Sequence, residues 1–159
     1  MNISNLLKKN CIIVDLKASD KLSALKEIAS FFALQNDHVN ANTILKVLLD
    51  RENLGSTGIG DGIAIPHGKL GGFEEIFVGF GRSRKGVDFD ALDGKPVHLF
   101  FILIAPESAV GQHLKVLAKL SRMLMDPGFR ADLMNAVTAD DLFKTITDMD
   151  HQVLSTGSG

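Results

Sequence analysis

The chain has 159 residues, 45% of them apolar and 23% charged, with a formal net charge of -2. That length suits one domain, able to bury about two thirds of its unfolded surface without disulfide or metal staples. The near-neutral charge, with no run of Lys or Arg, excludes a dedicated nucleic-acid binder, and a single cysteine excludes a disulfide framework or a thiolate zinc site.

In chain order, "MNISNLLKKN" lacks the apolar core and small-residue cleavage site of a signal peptide. "CIIVDL" (Cys11–Leu16) reads as a short β-branched strand, with Cys11 as a small buried hydrophobe. "SDKLSALKEIASFFALQN" places Leu22, Leu25, Ile28, Ala29 and Phe32 at helical steps, with Ser19 or Asp20 as the cap. "NANTILKVLLDREN" repeats the pattern through Ile44, Leu45, Leu48 and Leu49, and ends near Asn53 and Gly55. A glycine-rich stretch follows and is taken up below. "EIFVGFGRS" (Glu75–Ser83) and "VHLFFILIAP" (Val97–Pro106) read as strands, the second apolar enough to be buried on both faces and too short to span a bilayer. Asp93-Gly94 is a tight turn between them. "VGQHLKVLAKLSRMLMD" is an amphipathic helix with Leu114, Leu117, Leu120 or Ser121, and Leu124 on its stripe. A short helix starts at Pro127, and a last helix starts at Thr138, with Asp141 completing a near capping box. The interleaving predicts a single α/β domain, a mixed β-sheet flanked by helices on both faces, over residues 1–153. Residues 154–159 are expected as a flexible tail and an expression remnant. A cytoplasmic location without membrane insertion is expected.

"GSTGIGDGIAIPHGKL" (Gly55–Leu70) holds five glycines and one histidine, His67. It fails as a phosphate loop because Gly68-Lys69 is followed by Leu70, and as a dinucleotide fingerprint because Ile63 occupies the third glycine position. The five histidines of the chain are scattered, with no two at zinc-ligand spacing on one element, and no Gly-x-Ser-x-Gly elbow exists. "GIAIPHG" reads as an apolar strand leaving the core and then a rigid corner, fixed by Pro66 and freed by Gly68. That corner presents His67 at the surface either as a nucleophile or as a turn residue without a role. His113, early in the helix after the buried strand, stands where α/β domains collect anions, or is a solvated helix residue. Arg51, with Glu52, is either a solvated pair or a reach toward an anion. His98 is expected as a satisfied core histidine; His38 and His151 are loop and tail residues without an assigned role.

"LLDRENLGSTGIGDGIAIPHGKL" (Leu48–Leu70), "VDFDALDGKPVHLFFILIAP" and "QHLKVLAKLSRML" together resemble, in order, the type-2 IIA domains of the bacterial phosphoenolpyruvate-dependent sugar phosphotransferase system, the mannitol, fructose and nitrogen-regulatory group. The likeness extends over about residues 3 to 150. It implies that His67 is phosphorylated on Nε2 by the phosphohistidine of the carrier HPr or its nitrogen-branch paralogue. It implies that His113 lies beside it, orienting the ring or hydrogen-bonding the phosphoryl group, and that Arg51 positions the site. Phosphoryl transfer of this kind is positioning plus electrostatics and calls for no metal, nucleotide or other cofactor; the glycines of Gly55–Gly62 would let the chain bend closely around the group. A free-standing domain of this sequence most resembles the nitrogen-regulatory form, which signals its phosphorylation state to regulatory target proteins. The alternatives are a stand-alone fructose- or mannitol-type component passing phosphate to a IIB cysteine, and a regulatory protein that binds partners without phosphorylation.

Overall fold

The computed structural model describes residues 2–37 and 39–156; His38 and the last residues of the expected tail, 157–159, lie outside the described residues. The described residues form α1 (Ile3–Leu6), β1 (Leu7–Ile13), α2 (Lys21–Leu34), α3 (Ala41–Glu52), β2 (Gly58–Gly60), β3 (Ile63–Ala64) and β4 (His67–Lys69). These are followed by β5 (Phe77–Val87), β6 (Val97–Ala105), α4 (Val110–Leu124), α5 (Pro127–Asn135) and α6 (Ala139–Thr156). The helix starts follow the expected chemistry: the Asp20 carboxylate accepts the Ser23 N–H, and Thr138 and Asp141 cap each other reciprocally at 3.1 and 3.2 Å. His151 lies within α6, and that helix runs on through Thr156.

The sheet is mixed, in the order β1-β5-β6-β3-β2, with β4 also paired to β6. β5 and β6 are antiparallel, whereas β1 runs parallel to β5, and β3 and β4 run parallel to β6. β6 is the central strand, and its side chains alternate between two cores. Leu99, Phe101 and Leu103 pack with α4, α5 and α6 residues such as Leu120, Leu133 and Leu142. Phe100, Ile102 and Ile104 pack with Leu25 and Phe32 of α2 and Leu48 of α3. Helices therefore cover both faces, as the continuous apolar run of β6 requires.

Three expectations need correction. The first strand begins at Leu7 and ends at Ile13 instead of spanning Cys11–Leu16. Lys8, Lys9 and Asn10 are exposed at the sheet edge, a charged edge that hides the strand from a hydrophobic reading. Leu22 is 46% exposed and stands off the α2 stripe. In α4 the buried residues are His113, Val116, Lys119, Leu120, Met123 and Leu124; Leu120 and Leu124 of the expected stripe are therefore buried, while Leu114 is 61% exposed. The stripe differs from the expected one at the start of the helix, where His113 in place of Leu114 lies against the core.

The core also holds charges. Arg82 is fully buried, donating from Nε to the Val14 carbonyl at 3.1 Å and from a terminal nitrogen to the Leu133 carbonyl at 2.8 Å. Lys119 pairs with the buried Asp150, which also accepts from the Ser4 N–H and hydroxyl at 3.0 Å each. Cys11 is buried as expected, and burial pushes its thiol up to about 11.

Candidate functional site

The glycine-rich stretch folds as a hairpin followed by an extended run. Asp61 and Gly62, at φ +57° and +76°, turn the chain between β2 and β3, the positive-φ pair that a two-residue hairpin prefers. β3 and β4 then follow β6 in one register, with Ile63 opposite Leu99 and His67 opposite Leu103. The expected corner at Pro66-His67-Gly68 is absent: the segment stays extended, and His67 opens β4. Proline fits there because its fixed φ suits an extended chain and its carbonyl, not its missing N–H, meets β6, accepting from the Leu103 N–H at 3.0 Å. Gly68 answers to packing. A Cβ there would stand 2.2 Å from the Val47 Cγ1 of α3, so glycine lets α3 close directly onto β4.

Val47 and Arg51 lie one turn apart on α3, so this close approach carries Arg51 to His67. The Arg51 Nε–H donates to His67 Nε2 at 3.2 Å, and a terminal guanidinium nitrogen donates to the Gly55 carbonyl at 2.9 Å. On the other side of the ring, His67 Nδ1 lies 2.7 Å from the Ile65 carbonyl. A carbonyl can only accept, so Nδ1 carries the proton and the lone pair is on Nε2. The His67 and His113 rings meet edge to face with centroids 5.3 Å apart. Thus the structure brings His67, His113 and Arg51 together from β4, the first turns of α4 and the last turn of α3.

Both rings favour the neutral form. Burial pushes His67 down from the ordinary imidazole value, as does the Arg51 charge, against the upward pull of the Ile65 carbonyl and Glu52. His113 is 5% exposed and not the solvated helix residue that its position allowed. Burial, then His67 and Lys69, bring it to about 4. Its Nδ1 is buried and meets no hydrogen-bond partner among the described residues. His98 is half-buried, with Nδ1 at 2.8 Å from the Ser83 carbonyl, and has no link to this cluster.

Glu52 is the residue that sequence reasoning placed wrongly, as half of a solvated pair with Arg51. It is buried, accepting from the Thr57 N–H at 3.1 Å and from the Thr57 hydroxyl, and its carboxylate meets Lys21 Nζ at 2.9 Å. A helix-end "RE" pair gives no sign of which member turns inward; the hydroxyl of Thr57, five residues on, was the one available cue. Among the described residues no group of three or more His, Cys, Asp and Glu is placed to hold a metal ion, and no helix is long and apolar enough to cross a membrane. A groove of about 670 Å³ lies at the far end of α3, between Asn40, Thr43 and the Gly71–Phe77 segment, and neither clustered histidine lines it.

A nucleophilic imidazole nitrogen, an arginine beside it and a second, neutral imidazole form a site that can take up and stabilise a small anion such as a phosphoryl group. A family model for the phosphoenolpyruvate-dependent sugar phosphotransferase system, EIIA 2, matches residues 5–149. The chain is 40% identical over 146 residues to a nitrogen regulatory protein of Bradyrhizobium diazoefficiens, spanning 92% of this chain and 95% of that one. It is 35% identical over 150 residues to the fructose-specific EIIABC component of Bacillus subtilis, covering 94% of this chain but 24% of that protein. The crystal structure of the nitrogen regulatory protein IIA-Ntr from Neisseria meningitidis is similar with a TM-score of 0.85 at 36% identity, over 91% of this chain and 99% of that one.

Proposed function

Because the chain belongs to the EIIA 2 family of the phosphoenolpyruvate-dependent sugar phosphotransferase system, we propose that it is a cytoplasmic phosphocarrier that takes its phosphoryl group on His67 Nε2. The observation that carries this reading is the pair of bonds on the His67 ring: Nδ1–H is held by the Ile65 carbonyl, and the Nε2 lone pair accepts from the Arg51 Nε–H. In the transfer, that lone pair forms a new P–N bond as the P–N bond of the donor's phosphohistidine breaks, the bonding pair staying on the donor nitrogen. No proton has to leave His67, because the tautomer is already set. Arg51 moves from Nε2 to the phosphoryl oxygens, trading a hydrogen bond to a neutral acceptor for one to an anion, roughly twice as strong. His113, neutral and with an uncommitted nitrogen, can donate to a phosphoryl oxygen without repelling the ring beside it. Transfer needs positioned charge and little covalent work from the protein.

The donor in this reading is phospho-HPr or its nitrogen-branch paralogue. A protein donor suits a site whose reactive nitrogen lies outside the groove described above. The likeness to nitrogen regulatory proteins over nearly their whole length supports a signalling role, in which regulatory target proteins distinguish the two phosphorylation states. A second reading, a transport component passing the group to a IIB cysteine, draws on the likeness to the fructose-specific EIIABC component. Intact mass after incubation with phosphoenolpyruvate, enzyme I and either carrier tests the first step. One acid-labile phosphoryl gain, absent in His67→Ala, is the expected result. A gain retained in His67→Ala moves the site elsewhere. No gain with either carrier leaves a protein that binds its partners without phosphorylation. Discharge of the phosphorylated protein by an isolated IIB domain would favour the transport reading.

A further inference from the structure

We propose that Glu52 is a positioning residue that acts through the Asn53–Thr57 loop to hold the Arg51 guanidinium on His67. For its catalytic meaning this inference rests on the phosphocarrier reading; its geometry does not. Arg51 has two partners in the structure, His67 Nε2 and the Gly55 carbonyl. The first is the reacting atom, which Arg51 must leave when a phosphoryl group arrives. The second is the contact available to steer the guanidinium through that change, so the place of the Gly55 carbonyl decides where the cation points.

Gly55 lies in a loop with little packing of its own. Its φ is +141°, no heavy atom outside its chain neighbours comes within 4 Å of where its Cβ would be, and the preceding Leu54 is 83% exposed. The loop is held at its two ends and by the Ser56 hydroxyl, which donates to the Phe89 carbonyl at 3.0 Å. At the start, the Leu54 and Gly55 N–H groups donate to the Arg51 and Glu52 carbonyls at 3.2 and 3.0 Å. At the finish, Thr57 donates its N–H and its hydroxyl to the two Glu52 carboxylate oxygens. One buried side chain thus closes the loop onto the helix that carries Arg51.

The carboxylate is itself fixed from a third element. Lys21, at the start of α2, meets Glu52 Oε1 at 2.9 Å and sits 4.8 Å from the Phe89 ring centroid. With Thr57 it partners both oxygens of a nearly fully buried carboxylate. A carboxylate that served stability alone would not need to bracket the five-residue span holding the arginine's carbonyl anchor. Glu52 also favours the protonated His67 ring, opposing the Arg51 charge, so the same residue moderates the basicity of the nucleophile that it helps to place.

The test is a 1H-15N spectrum of the full chain that resolves the Arg51 Nε–H, with the initial rate of phosphorylation measured beside it. Three variants are compared with wild type. Glu52→Gln removes the charge and the pairing with Lys21. Thr57→Val is nearly isosteric and removes the hydroxyl contact while leaving the ion pair. Leu142→Ala destabilises the far helical layer as a control. The expected result is that Glu52→Gln and Thr57→Val each shift the Arg51 Nε–H signal toward that of free arginine and hasten its exchange with water. They should also slow phosphorylation about tenfold at unchanged KM for the donor, while Leu142→Ala moves neither readout. An Arg51 signal unmoved by both site variants, or moved equally by Leu142→Ala, overturns the proposal. Should wild type accept no phosphoryl group, the phosphocarrier reading fails, and the Arg51 signal still decides the role of Glu52. Thr57→Val carries the test if Glu52→Gln does not fold.

Discussion

At the scale of single residues, the site rests on two imidazoles that burial keeps neutral. Bonds on both nitrogens fix the tautomer of His67, whereas His113 has an unpartnered Nδ1 and is taken by burial, then by His67 and Lys69, to about 4 from 6.5. This has a consequence for stability. Between those two values the unfolded chain binds a proton at His113 that the folded chain does not, so folding weakens as pH falls through that window. The whole effect is on the order of 3 kcal/mol. His113→Gln removes the titration. Urea unfolding at pH 7 and near pH 4.5 should therefore show a larger loss of stability for wild type than for the variant, the shared part coming from His67, which burial also pushes down. An equal loss in both proteins would mean that His113 takes up its proton in the folded state.

At the scale of elements, the decisive contact is α3 on β4. Two strands of two and three residues cannot stand alone; β3 and β4 exist because β6 lends them a register and α3 covers them. Gly68→Ala inserts a methyl group into a space where Val47 stands at 2.2 Å, with the Val47 carbonyl at 3.3 Å behind it. A β-branched side chain has little rotamer freedom on a helix, so the backbones must part. The expected cost is about 1–3 kcal/mol, accompanied by slower phosphoryl acceptance, because Arg51 moves away with its helix. The double substitution Gly68→Ala with Val47→Ala should recover most of both losses, read by thermal unfolding and by phosphorylation rate. Recovery of stability without recovery of rate would separate the packing of β4 from the placement of Arg51.

At the scale of the whole molecule, a buried polar group ties the sheet to the layer of α4, α5 and α6, beside the apolar contacts. Arg82 of β5 binds the carbonyl of Val14 beyond β1 and the carbonyls of Leu133 and Ala136 at the end of α5, where the dipole of that helix favours a cation. Arg82→Met fills much of the volume but leaves those carbonyls without donors. A loss of at least about 3 kcal/mol is expected, read as a lowered urea midpoint. A loss under about 1 kcal/mol would mean that solvent reaches the carbonyls in the variant. The strand alternation of "EIFVGFGRS" did not reveal this residue, since nothing local distinguishes an arginine that turns inward from one that turns out.

What the sequence determined by itself was local, or carried by a long ordered likeness. The helices from Asp20 and Asn40, the capped helix from Thr138, the doubly buried β6 and the α/β class followed from periodicity and caps, which depend on neighbours within a turn or two. His67, Arg51 and His113 were singled out by "LLDRENLGSTGIGDGIAIPHGKL" and "QHLKVL" before any fold was in view. Only the tertiary structure decided that Pro66-His67-Gly68 is an extended edge on β6 and not a corner, that α4 turns His113 inward and Leu114 outward, and that Glu52 is buried beneath the loop that steers Arg51. Each of these depends on which face of an element meets which neighbour across the sheet. That choice is settled by register and close packing between residues far apart in the chain, and a pattern of nearby side chains does not encode it.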